Sequence, residues 1–423
     1  LYNKTKLSNG IRIITENIPY VNSISIGLWV ESGSRYENKD NNGVSHFIEH
    51  ILFKGTKNRT ARDIAEQIDS VGGQMNAFTS KECTCFYIKI LDNHIDLAID
   101  ILQDMLFNST FDTNEIEKEK NVIIEEINMY EDAPEEIVHD LLSNTVFKKH
   151  PLSLPILGNK ESITNLTKEL IIDYFKKYYI PENIVISIVG NIDEQNILKT
   201  LEKNFGVWKS NKKKLTNKLV SPTIKRNIIY KDKDTEQLHL CLGLEGLKQS
   251  SKNIYSLLVL NNIFGGSMSS RLFQKVREDL GIAYSIYSYP STYKDTGIFT
   301  IYAGLNPKHL VDVSKIIIDE IKEIKANIFS EEEIFKSKEQ LKGNFILGLE
   351  NTSSRMSSYG KSELLNSKIE TPNEIINSIN KVNKSSIREV IDNTFDIDNI
   401  NIAYVGRLDN KNIKSELINI YKK

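Results

Sequence analysis

Apolar residues recur along the chain with two distinct periods. In SISIGLWVESG, residues 23 to 33, and in LHLCLGLEGL, residues 238 to 247, they alternate with small or polar residues, the period of a strand. ARDIAEQIDSVGG repeats apolar residues at helical spacing and ends at Gly72, after which QMNAFTSKECTCFYIKIL reads as strand again. HIDLAIDILQDMLF and TNEIEKEKNVIIEEINMYED then read as amphipathic helices. Strands that run consecutively, with helices grouped after them, predict α+β architecture: a largely antiparallel sheet with helices on one face.

That pattern occurs twice. NIVISIVGNID, residues 183 to 193, and NINIAYVGRLD, residues 399 to 409, are identical at six of eleven positions at an offset of 216. The same offset aligns Ile26-Gly27-Leu28 with Leu242-Gly243-Leu244 inside the two alternating runs. Two anchors near both ends of one unit predict a duplicated domain. The lysine-rich, proline-containing stretch between the copies reads as a linker. The expected division is a first domain over 1–210, a linker over 211–226 and a second domain over 227–423.

Composition narrows the chemistry. A chain of 423 residues with 40% hydrophobic and 26% charged residues has the make-up of a soluble globular protein. A net charge of -2 provides no basic field for nucleic acid. No run of about 18 apolar residues exists to span a membrane, so the cytoplasm is the default compartment. Cys83, Cys85 and Cys241 form an odd, sparse set without Cys-x-x-Cys, so a metal site has to use histidine and carboxylate.

The stretch GVSHFIEHILFKGT places two of seven histidines within five residues. On a helix, His46, Glu49 and His50 share a face, and two imidazoles one turn apart can both reach one Zn²⁺ at about 2.0–2.1 Å. Glu49 is then placed to take a proton from metal-activated water, an HxxEH inversion of the zincin helix. At the offset of 216 the same place holds NIFGG, Asn262 to Gly266, with every ionisable group gone. Chance produces the five-residue pattern in about one chain in a hundred, so a third ligand is needed to decide it.

The helix over 113–132 supplies candidates. At about 100° per residue, Ile116, Ile123, Ile127 and Tyr130 share a direction to within roughly 40°, which defines the buried face. Glu119 and Glu126 lie on one edge of it, whereas Glu117 and Glu125 point to solvent. Carboxylates at such an edge require a cation or strong donors. Glu126 is expected as the third ligand and Glu119 as a carboxylate that orients a ligand; pairing of both with lysines is the competing expectation.

GVSHFIEHILFKGT, GGQMNAFTSKE, EKEKNVIIEEI and GGSMSSRLFQKVREDLGIAYS together resemble the pitrilysin and insulinase family of zinc metallopeptidases, most closely its processing-peptidase branch, which includes the catalytic β subunit of the mitochondrial processing peptidase. The resemblance implies zinc held by His46, His50 and Glu126, Glu49 as general base and Glu119 as supporting acid, in a clamshell of two similar α+β halves. It implies that Arg277 and Tyr284 hold substrate and the tetrahedral oxyanion, that Asn76 and Ala77 lie on an edge strand that pairs with an extended peptide, and that Phe53 walls a pocket just past the scissile bond. Glu136 and Asp140 match an acidic pair that receives a basic side chain upstream of the cut; a solvated helix face has the same pattern.

Because one chain carries both the zinc motif and the Arg/Tyr pair, the resemblance further implies a homodimer with two composite sites acting on unstructured peptides in a closed chamber. Two other classes are weighed beside this one: a non-catalytic peptide-binding or scaffold subunit of the same fold, and a zinc hydrolase of non-peptide substrates.

Overall fold

The computed structural model describes residues 2–209, 220–408 and 413–421. Residues 211–219 of the expected linker therefore lie outside the described residues, and 220–226 form no regular secondary structure. In chain order the first part contains β1 (Asn3–Lys6), β2 (Arg12–Asn17), β3 (Ser23–Val30), α1 (Val44–Ile51), α2 (Ala61–Asp69), β4 (Gln74–Thr79), β5 (Thr84–Leu91), α3 (Ile95–Asn108), α4 (Thr113–Asp132), α5 (Pro134–Val146), α6 (Lys160–Thr164), α7 (Lys168–Tyr178), β6 (Ile184–Gly190) and α8 (Glu194–Phe205). The remainder contains β7 (Ile228–Lys231), β8 (Leu238–Glu245), α9 (Ile254–Phe264), β9 (Ala283–Thr292), β10 (Gly297–Leu305), α10 (Leu310–Ala326), α11 (Glu331–Gly348), α12 (Thr352–Asn366), α13 (Pro372–Asn380), α14 (Lys384–Thr394), β11 (Asn401–Val405) and α15 (Ile413–Tyr421). Among the described residues, no helix is long and apolar enough to cross a membrane.

These elements form two compact units that are not contiguous in sequence. One comprises Leu1–Ile127, Leu154–Lys218 and Leu347–Thr371; the other comprises Asn128–Ser153, Leu219–Ile346 and Pro372–Lys423. A linear division at the linker is thus crossed twice, by α5 and by α12.

The first unit is built on a six-stranded sheet of order β1-β2-β6-β3-β5-β4, antiparallel except for the β2–β6 pair. Side chains at Ile24, Ile26, Leu28 and Val30 of β3 and Ile184, Ile186 and Ile188 of β6 enter a core with residues of α1, α3, α4, α7 and α8. The alternate positions, Ser25, Gly27, Trp29 and Ser187, face α12 instead. Small residues on both sides admit the helix there: a Cβ on Gly27 would lie 2.3 Å from Met356 Sδ, and one on Gly360 of α12 would lie 2.1 Å from Trp29. Ser25 Oγ is 2.9 Å from both Thr352 Oγ1 and Ser353 Oγ, and Ser187 Oγ donates to the Met356 carbonyl. Charge closes the seam, with buried Glu363 paired to Lys4 and Arg12 and Glu16 paired to Arg355. The expectation of helices on one face holds for most of them; α12 covers the other, which is why β3 is buried almost throughout.

The second unit repeats the plan on a five-stranded sheet of order β7-β11-β8-β10-β9, antiparallel except for β7–β11. Leu238, Leu240, Leu242 and Leu244 of β8 pack with Phe299, Ile301 and Ala303 of β10 and residues of α9, α10 and α14. On the opposite face Cys241, Ile298, Tyr302 and Ala403 pack with Ile137, Val138, Leu142 and Val146 of α5. Gly243, the repeat counterpart of Gly27, lies under Leu142 and Val146, both 3.0 Å from where its Cβ would be.

Candidate metal centre

Helix α1 packs against β4 and β5, with Val44, Phe47, Ile48 and Ile51 buried in the first unit's core. That anchoring turns His46, Glu49 and His50 together. The rings of His46 and His50 are 4.5 Å apart edge to face. Helix α4 buries Ile116, Glu119, Ile123 and Ile127 and leaves Glu117 and Glu125 exposed, as its periodicity predicts, with Glu126 half-buried at the rim. Glu126 Oε2 lies 3.8 Å from His46 Nε2 and 3.7 Å from His50 Nε2. Among the described residues, His46, His50 and Glu126 form the one group of three or more His, Cys, Asp or Glu with ligand atoms close enough to share a metal, all within 4.8 Å of one another.

Each neighbour has a definable effect. His50 Nδ1 donates to Glu119 Oε1 at 2.8 Å, which leaves the Nε2 lone pair on the side of Glu126. Lys54 Nζ meets the other oxygen of Glu119 at 2.7 Å, so the lysine pairing considered for this carboxylate is present together with the histidine contact. Burial pulls the His50 pKa down, but the Glu119 hydrogen bond and charge more than reverse it and raise it. Glu119 is itself held below the usual carboxylate range: burial opposes this, and the donors His50 and Lys54 outweigh it. His46 is pushed down to about 3 by burial first and by the neighbouring His50 second, so its imidazole is neutral. Glu49 is raised, chiefly by burial, against a hydrogen bond donated by Thr79 Oγ1.

Thr79 and Lys54 carry roles that sequence reasoning did not assign, although both lie within the stretches NAFTSKE and ILFKGT that drew attention. Strand β4, at the end of the sheet, carries exposed Asn76 and half-buried Ala77. The Ala77 N–H donates to Asn76 Oδ1 at 2.8 Å. Phe53 follows α1, half-buried, its ring 6.2 Å from Phe86.

The remaining expected residues belong to the second unit. Arg277 is on a π-helical segment, Phe273–Asp279, and its guanidinium lies 5.7 Å from the ring centroid of exposed Tyr284 at the start of β9. The two line a cleft of about 490 Å³ with Glu236, Gln237, Asn306 and Lys308. Glu136 and Asp140 stand one turn apart on α5, beside Tyr130, whose hydroxyl donates to the Glu136 carbonyl at 3.1 Å.

The description "Insulinase (Peptidase family M16)" matches residues 12–160, and "Peptidase M16 inactive domain" matches 165–341. An uncharacterized zinc protease of Bacillus subtilis, YmxG, is 50% identical over 375 residues, 89% of this chain and 91% of that one. The chain belongs to peptidase family M16. A second relative, an uncharacterized zinc protease of Streptomyces coelicolor, is 39% identical over 92% of this chain and 86% of its own length. In fold, a protease from Helicobacter pylori superposes with a TM-score of 0.91 over 96% of this chain and 99% of that one, at 22% identity. A Pseudomonas fluorescens structure titled peptidase M16 inactive domain gives 0.90 over 96% and 98%, at 17% identity.

Zinc is the cofactor of this M16 chain. Two imidazoles and a carboxylate are a zinc donor set, and ligands of a tetrahedral zinc stand roughly 3.3–3.5 Å apart, close to the 3.7 and 3.8 Å separations here. Buried His46 has no hydrogen-bond partner at Nδ1, and a metal at Nε2 would compensate its desolvation.

Proposed function

We propose that the chain is an endopeptidase of the processing-peptidase type, hydrolysing unstructured peptides in the cytoplasm, with zinc held by His46, His50 and Glu126. The observation that carries this reading is the convergence of both Nε2 atoms on Glu126 Oε2 beside the carboxylate of Glu49. Bound there, zinc supplies a Lewis acid that acidifies water and polarises a peptide carbonyl at neutral pH. Glu49 takes the proton of the attacking water and returns it to the leaving nitrogen. Thr79 orients the Glu49 carboxylate through its hydroxyl, and Glu119 holds His50 with Nε2 facing the ligand position. The peptide adds to the edge of β4 at Asn76 and Ala77, with main-chain pairing giving affinity for many sequences. Phe53 walls the pocket past the cut, and Glu136 and Asp140 accept a basic residue upstream of it.

Arg277 and Tyr284 donate to the negative charge that develops on the carbonyl oxygen. We assign these two to the zinc site of a second protomer, so that a homodimer encloses a chamber with two composite sites. Glu49→Gln should retain zinc and lower kcat on unstructured peptides by about 10²–10⁴-fold; full activity in a zinc-loaded variant would sink the assignment. Mixing inactive Glu49→Gln protein with inactive Arg277→Ala protein should restore partial activity, and no restoration would count against shared sites.

A further inference from the structure

The helix that carries His46 begins without a cap of its own. Its N-cap residue, Gly43, sits at φ +92°, where a Cβ would lie 2.7 Å from Ile163 Cδ1 and from the Leu157 carbonyl, and no side chain at that position accepts from the first turn. The Gly43 and Ser45 N–H groups are nevertheless met. Glu37 Oε2 accepts from the Gly43 N–H at 2.7 Å and from Asn42 Nδ2 at 2.9 Å, and Glu37 Oε1 accepts from the Ser45 N–H at 2.8 Å. The carboxylate is buried, and burial raises its pKa against the pull of these donors.

The surrounding groups are fixed in turn: Asn42 Nδ2 also donates to the Pro155 carbonyl at 2.9 Å, and Ser45 Oγ is 2.9 Å from Tyr174 OH on α7. A carboxylate at a helix N-terminus also meets the positive end of the helix dipole. The two histidines differ here. His50 is oriented through its ring by Glu119, whereas His46 has no partner at Nδ1 and depends on where its backbone stands. His46 follows Ser45, one of the residues Glu37 holds.

We propose that Glu37 is a positioning residue for the metal centre: its carboxylate replaces the missing cap of α1 and fixes the first turn on which His46 stands, as Glu119 fixes His50. The inference rests on His46 being a zinc ligand. In Glu37→Gln the new amide NH₂ must face one of the two N–H groups, donor against donor. The expected result is a folded full-length chain with a lowered Tm, a zinc Kd roughly 10-fold weaker in competition with a chromogenic chelator, and a lower kcat at unchanged KM. A purely structural role would lower Tm and leave the zinc Kd of the folded fraction as it was.

Wild-type zinc affinity in folded Glu37→Gln would overturn the inference. Should that variant not fold, Glu37→Asp decides: its carboxylate is one methylene short of spanning both N–H groups, so an unchanged zinc Kd there overturns it, as does failure of both variants to fold. A wild-type chain that binds no zinc would instead remove the ligand assignment on which the inference stands.

Discussion

At the repeat offset of 216, His46 falls on Asn262, and the two buried polar side chains solve the same problem differently. Asn262 Nδ2 donates to Ser337 Oγ at 3.1 Å and to Gln340 Oε1 at 2.9 Å, so the amide is satisfied by α11 of its own unit. His46 has no such partner at Nδ1, and its Nε2 faces His50 and Glu126 across a gap. A neutral network that closes on itself stabilises a helix pair and leaves no valence over. The open arrangement is costly without an ion and selective with one. The duplicated fold thus tolerates either answer at this place, and the difference is a handful of side chains on α1 and α4.

The comparison can be broken most sharply by copying one answer onto the other. His46→Asn should abolish stoichiometric zinc, measured by elemental analysis of the purified chain, and reduce peptide hydrolysis to background; retained zinc would detach His46 from the site. Glu119→Gln keeps all three ligands but removes the charge behind His50 and one of the two oxygens that meet His50 and Lys54, so zinc affinity should fall by about 10–100-fold, read by chelator competition.

The covering helices offer a second contrast. Gly360→Ala drives a methyl into Trp29 and should destabilise the first unit by about 1–3 kcal/mol, seen as a lowered thermal midpoint. Gly243→Ala meets the ends of the Leu142, Val146 and Ile298 side chains at 3.0–3.1 Å, so a smaller loss is expected.

Acid provides the mildest test. His139 on α5, pushed down to about 4 by burial and then by His239, has its Nδ1 2.8 Å from Tyr289 OH. A histidine with a depressed folded pKa adds stability above its unfolded value, near 6.5, and that stability is lost as pH falls toward about 4. Protection factors of the α5 amides, corrected for the intrinsic exchange rate at each pH, should therefore fall across that window, while those of α12, which carries no histidine, should not follow.

Much of this was legible in the sequence. Gly27 and Gly243 stood out as repeat anchors, and both prove to be the points where a helix crosses closely over a strand. The inward edge of α4 was readable because 3.6-residue periodicity places Glu119 and Glu126 beside Ile123, and Glu119 is buried with Glu126 at the rim. Which sheet α5 and α12 cover was not readable, because an amphipathic pattern specifies that a face is apolar and not what it meets. Glu37 was invisible for a related reason: its role arises from a loop that turns back on the helix start, a contact six to eight residues distant with no periodic signature.

The helix α12 also dictates an order of events during synthesis. The face of the first sheet bearing Trp29 and Val185 belongs to a segment made early, yet its cover ends at Asn366. At about 5–20 residues per second, the ribosome needs on the order of ten seconds or more after β6 to make that cover. For that interval the nascent first unit must keep an apolar sheet face away from other chains, and it becomes a finished unit only when most of the second has already been translated.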